Sequence, residues 1–189
     1  GRESKDNFLR RRIMESGTFY NENKANRIRR IELAAVIFVT FLLQSNQYIF
    51  PRITDAPFML LVPLTVSIGM FEKERWGMFF GLFAGVMMDA FSAESHCYHS
   101  IALTCIGFFS GLLITGIFRN SLKTFFLISG VSLFLYNTIY FLIFYFSKSG
   151  SESNYVYANI YFASVIYTLL LAVFSYLIVR AVSANNKSE

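Results

Sequence analysis

Asp89 is the side chain in this sequence most in need of an explanation. It ends the apolar, glycine-rich run "GLFAGVMMD", and no Lys or Arg lies within thirteen residues on either side. An ionised carboxylate at the centre of a membrane helix costs about 2.5–3.5 kcal/mol on insertion scales, and less toward an interface. The end of the apolar run is also a helix C-terminus, where the dipole disfavours negative charge. The carboxyl group must therefore find donors or hold a proton.

Three kinds of chemistry would answer that need. The first is a hydrogen-bond network between helices, or a helix end held by the polar loop 92–99. The second is a ligand, ion or proton site. The third is contact with a partner protein. Measured from Arg75, Arg30 and Lys123, the residues Asp89, Gln44 and Asn137 each stand about 21 Å along their segments at 1.5 Å per residue. Tyr136 and Tyr140 flank Asn137, and Asn159 enters from the far side on the last segment. Gln44, Asp89 and Asn137 thus form one polar level within the membrane.

The stretch "ESHCYH" holds Glu94, His96, Cys97 and His99, all acceptable metal-ligand types. No second segment supplies ligands to complete such a site, so neither a metal nor a cofactor is expected. There is no P-loop, no Ser-His-Asp arrangement on a plausible scaffold and no pair of catalytic carboxylates. No catalytic residue is assigned, and the chain does not read as an enzyme.

The elements that carry these residues are apolar helices. Hydrophobic residues make up 54% of the 189, with 22 Phe, and charged residues only 15%, below the roughly 25% usual for soluble domains. Six apolar segments are expected, at about 31–50, 57–71, 76–91, 100–118, 122–146 and 158–180, each compared with the ~20 residues needed to cross a bilayer core. The second is short. Pro57 suits its N-terminus with Thr54 or Asp55 as cap, and Pro63 is expected to kink it.

Charge gives the orientation. Residues 1–30 hold nine Lys/Arg and four Asp/Glu, and the remainder is balanced at eight of each. With the N-terminus inside, fifteen of the 17 Lys/Arg fall on the cytoplasmic side and only Arg52 and Lys148 outside. Both termini are then cytoplasmic. Trp76 falls at the inner interface, and Tyr48, Tyr98, Tyr155 and Tyr157 at the outer one. The expected organisation is a basic segment over 1–30, a six-span domain over 31–180 and a short tail over 181–189. The Arg clusters at 10–12 and 27–30 suit an anionic lipid surface or an acidic partner, and no nucleic-acid motif accompanies them.

Small residues set the packing. Gly77, Gly81, Gly85 and Asp89 recur every four residues, which keeps them near one helix face with about 40° of drift per step. Gly107 and Gly111 repeat the spacing in the next segment. Such stripes let another helix approach closely, either each other or a partner's transmembrane helix.

The order of these features resembles the MreD family, rod-shape-determining integral membrane proteins of bacteria. "FLLQSNQYIFP" ends the first segment. "PFMLLVPLTVSIGMF" gives a Pro-led second one, "EKER" a short charged loop, and "WGMFFGLFAGVMMDA" a glycine-rich third one ending in Asp. "GFFSG" and "YNTIYFLIFYF" mark the fourth and fifth. The resemblance covers about 31–180. It implies an all-α bundle of six transmembrane helices, like the substrate-binding subunits of energy-coupling-factor (ECF) vitamin transporters. It implies partnership with MreC, a single-span protein with an extracytoplasmic domain, and through it with MreB, a RodA-like glycosyltransferase and a class B penicillin-binding protein. The expected function is a non-enzymatic scaffold of cell-wall elongation in the plasma membrane. The alternative is a small-molecule substrate-binding subunit of an ECF-type transporter.

Overall fold

The structure, a computed structural model, describes residues 26–45, 59–92, 97–118, 120–144 and 162–185. Every element among them is an α-helix: α1 (residues 26–45), α2 (Leu61–Phe91), α3 (Tyr98–Gly116), α4 (Leu122–Phe144) and α5 (Phe162–Asn185). The basic cluster at 10–12, Tyr48, Arg52, Thr54, Asp55, Pro57, Glu94, His96, Arg119, Lys148, Tyr155, Tyr157 and Asn159 lie outside the described residues.

The first arm of α2, residues 61–72, is the centre of the molecule. Every residue from Met59 to Met70 is buried, polar Thr65 and Ser67 included. An arm apolar on all sides needs neighbours on all sides, and the helices around it supply them. The two buried hydroxyls are satisfied within the arm: Thr65 donates to the Leu61 carbonyl at 2.7 Å and Ser67 to that of Pro63 at 3.0 Å. The kink expected at Pro63 does not occur. The helix begins at Leu61, so Pro63 sits in the first turn, where a missing N–H removes nothing.

The break in α2 falls instead at Lys73, the one residue inside it with non-helical angles (φ 68°, ψ 177°). Here the chain reverses. A Cβ on Gly77 would lie 2.8 Å from the Cα of Gly69, whereas eight residues of continuous helix would separate them by about 12 Å. The expected charged loop is thus a single residue joining two antiparallel arms, 61–72 and 74–91. A non-glycine residue with these angles is costly, about 1–3 kcal/mol, so the packing on both sides must impose it.

That packing closes the turn end of the bundle. Glu72 is buried, and its carboxylate forms an ion pair with the Arg29 guanidinium, with Nε 2.6 Å from Oε1 and Nη2 donating a hydrogen bond to Oε2 at 3.0 Å. Arg30 stacks over Trp76 at 3.7 Å, and Asn120 donates to the Met70 carbonyl at 3.4 Å. Arg29, expected with its cluster to meet a lipid surface or an acidic partner, is thus engaged inside the fold. At the opposite end Phe41 meets Phe91 at 5.1 Å, so α1 runs parallel to the second arm of α2.

α4 and α5 complete the core on the other side of the first arm. Tyr176 of α5 packs against Phe71 and Phe125, ring centroids 5.5 and 5.0 Å away. Leu169 lies over Gly130, so the two helices are antiparallel. α3 packs tightly on both arms of α2 and barely touches α4.

Two described helices, Tyr98–Gly116 and Leu122–Ile143, are long and apolar enough to cross a membrane. Only a third of each apolar window is buried inside the molecule, which is unlike the core helix of a soluble protein. The expectation of six such helices is corrected on this measure. The arms of α2 are short and carry charge at the turn, α1 carries Arg27, Arg29, Arg30 and Glu32, and the apolar stretch of α5 is the shorter Thr168–Ala184.

Candidate functional site

The glycine stripe is filled from within the chain. A Cβ on Gly77 would overlap the carbonyl oxygen of Gly107. One on Gly81 would overlap that of Leu103, and one on Gly85 the Cα of Ser100. From the other side, Gly107 faces the Gly77 carbonyl and Gly111 the backbone of Glu74 and Lys73. The second arm and α3 thus run backbone against backbone, with Gly69 of the first arm closing on Gly107 and Ser110. Such close approach is how small residues bind helices where lipid removes the hydrophobic drive. Of the two expectations for these stripes, packing of the two segments on each other is the one the structure shows, and it leaves no room in this groove for a partner's helix.

The same contact carries Asp89 to its partners. Its Oδ1 accepts the His99 backbone N–H at 3.1 Å, and its Oδ2 accepts the Ser100 N–H at 2.8 Å and the Ser100 hydroxyl. His99 and Ser100 are the second and third residues of α3. Their N–H groups have no partner inside the helix, and the N-cap, Cys97, is a left-handed residue that makes no side-chain cap. Asp89 caps α3 from the preceding helix. The carboxylate faces a helix N-terminus, where the dipole and free donors favour negative charge. These partners, two backbone amides and a hydroxyl, all stand at the start of the next helix.

Gln44 does the same one helix earlier. Its Oε1 accepts the Leu61 N–H at 3.2 Å, at the start of α2, where Leu60 supplies no side-chain cap. Asn137 is different. It is 2% exposed, and both its side-chain oxygen and nitrogen are buried without a hydrogen-bond partner.

Around Asp89 lies an aromatic cluster that the sequence did not signal as a unit. His99 is buried, and its Nδ1 is hydrogen-bonded to the Tyr136 hydroxyl. Its ring stacks on Tyr136 and Tyr140, each centroid 5.9 Å away. Tyr98 donates to the Tyr136 carbonyl at 2.6 Å. The cluster ties the capped start of α3 to the middle of α4. The tyrosines flanking Asn137 were legible, whereas the pairing of His99 with Tyr136 had no local signal.

Removing the Asp89 carboxylate exposes this linkage. Asp89→Ala leaves two amides and a hydroxyl without an acceptor, and is expected to cost about 2–4 kcal/mol, more than an ordinary solvent-exposed cap. Asp89→Asn keeps one acceptor oxygen and falls between. Melting of the purified variants in detergent checks the order, and equal melting of all three proteins would show that the cap is dispensable.

Chemically, this end of the molecule holds helices in place. The described residues contain no group of three metal-ligating side chains. Comparison of the chain with family models, curated proteins and solved structures returned no match.

Proposed function

We propose that this chain is a non-enzymatic, multi-pass scaffold of the bacterial plasma membrane that serves cell-wall elongation, as its resemblance to MreD implies. It would bind an MreC-like single-span protein and through it join the RodA-like glycosyltransferase, the class B penicillin-binding protein and MreB. Both termini would be cytoplasmic. The reversal at Lys73 supports a bundle of six spans, because it turns α2 into two antiparallel arms.

The observation that carries the reading is the use made of the polar level. Gln44 and Asp89 are both engaged on helix N-termini, so two of the three groups available to a small-molecule pocket already serve the fold. With the glycine stripes also filled, partners would meet the outward apolar faces, such as Phe79, Leu82 and Val86 of the second arm beside Phe38 and Leu42 of α1. Depleting the chain in its native host is expected to give shorter, rounder cells with reduced lateral wall incorporation. Unchanged cell dimensions after full depletion would overturn the assignment to elongation.

A second reading, the ECF-type substrate-binding subunit, is favoured by Asn137 alone, whose amide is buried and unpaired. It predicts that some small polar metabolite raises the melting temperature, and that Asn137→Ala abolishes the rise.

A further inference from the structure

Between α3 and α4 the surface opens into an apolar groove of about 710 Å³. Ile101 and Phe109 of α3 form one wall, and Leu127, Val131, Leu135 and Ile139 of α4 the other. All six are exposed, from 45% for Ile139 to 65% for Ile101. Beyond the contacts of Tyr98 and His99 with Tyr136 and Tyr140 these consecutive helices stay apart, because α3 has turned its glycines to α2.

We infer that this groove holds one acyl chain of an anionic phospholipid whose headgroup sits at Lys123. Two features select a lipid over a partner helix. Close helix docking in a membrane uses small residues four apart, and the small side chains of this groove, Ala102, Cys105, Ser110 and Ser132, have no such spacing. A flexible chain needs no backbone approach and fills an irregular aliphatic trough. The second feature is charge. The α4 wall is a stripe of residues four apart, and one turn before Leu127 the stripe continues to Lys123, which is exposed. Under the proposed orientation this is the cytoplasmic edge, where anionic lipid concentrates. Ser121 caps the same helix end through the Thr124 N–H at 3.3 Å, so Lys123 lies in the first turn of α4, where the positive end of the helix dipole adds to the attraction for an anion. Apolar wall and cationic edge together match an acidic headgroup with its tail.

The inference rests on the membrane reading and the orientation given above. Its test is native mass spectrometry of the full chain released from nanodiscs containing equal palmitoyl-oleoyl phosphatidylglycerol and phosphatidylcholine. One cation near the surface corresponds to about a fivefold preference, so phosphatidylglycerol should be retained about fivefold over phosphatidylcholine. Lys123→Gln should erase that preference while leaving the melting temperature unchanged. Val131→Trp, which fills the groove from an exposed position, should reduce retention of both lipids. Equal retention by the parent chain, or full retention by Val131→Trp, overturns the inference. So does a photo-cross-linker at residue 131 that captures protein instead of lipid in native membranes. Alkaline carbonate extraction of those membranes separates the two levels: release of the chain would sink the membrane reading itself, and retention leaves the groove to be judged on its own.

Discussion

Gly81→Leu is expected to yield no folded protein, and Gly81→Ala a protein that melts well below the parent. The Leu103 carbonyl occupies the place of the missing Cβ, with its carbon only 2.9 Å from that position. These are backbone atoms of a helix fixed along its length by Gly77 and Gly85, so no side chain can swing aside. Overpacking of this kind costs about 1–3 kcal/mol for a small insertion and more for a larger one. Gly130 supplies the contrast. Its nearest neighbour would be the Leu169 Cδ1 at 3.9 Å, an ordinary contact. Gly130→Ala should therefore gain about 1 kcal/mol of helix propensity. Melting of the two alanine variants in the same detergent should shift in opposite directions. A Gly81→Ala protein as stable as the parent would mean that the stripe is open, and would restore it as a partner's groove.

Arg29→Met should be nearly as damaging, at about 3–5 kcal/mol, because it strands a buried carboxylate. The Glu72 side chain is 1% exposed, and it stands at the C-terminal end of the first arm, where the helix dipole opposes its charge. Arg29 answers both costs at once. The double variant Arg29→Met with Glu72→Met should recover most of the loss, since an apolar pair can replace a buried ion pair at little cost. Denaturation of the single and double variants measures the coupling. If the single variant loses less than about 1 kcal/mol, the pair behaves as a solvated surface bridge.

The sequence made some of this architecture legible. Four-residue spacing placed the glycines and Asp89 on one helix face, and an isolated carboxylate in an apolar run demanded a partner. The identity of that partner was not legible. An N-cap normally lies in the residue beside its helix, whereas Asp89 reaches α3 from the helix before it and Gln44 reaches α2 across 17 positions. Pro63 read as a kink because the helix start at Leu61 is set by that distant cap. The charged loop was visible, but a reversal made by Lys73 alone was not, since positive φ is expected of Gly or Asn. Arg29 looked like one more positive-inside residue because its partner lies 43 positions away. Counting charges gives an orientation but cannot say which charge is buried. Asn137 was placed at the right depth with its environment unknown, and its amide is the one group of the polar level left without a hydrogen-bond partner.

The scaffold reading is tested most directly by what the chain holds in its own membrane. A C-terminally tagged copy is expressed at native level, solubilised gently and purified, and the retained proteins are identified by mass spectrometry. The account predicts a single-span protein with an extracytoplasmic domain, accompanied by a wall glycosyltransferase and a class B penicillin-binding protein. Recovery of an ATPase pair with a coupling membrane subunit would contradict it and would make the chain a carrier, with Asn137 the first residue to examine in its pocket.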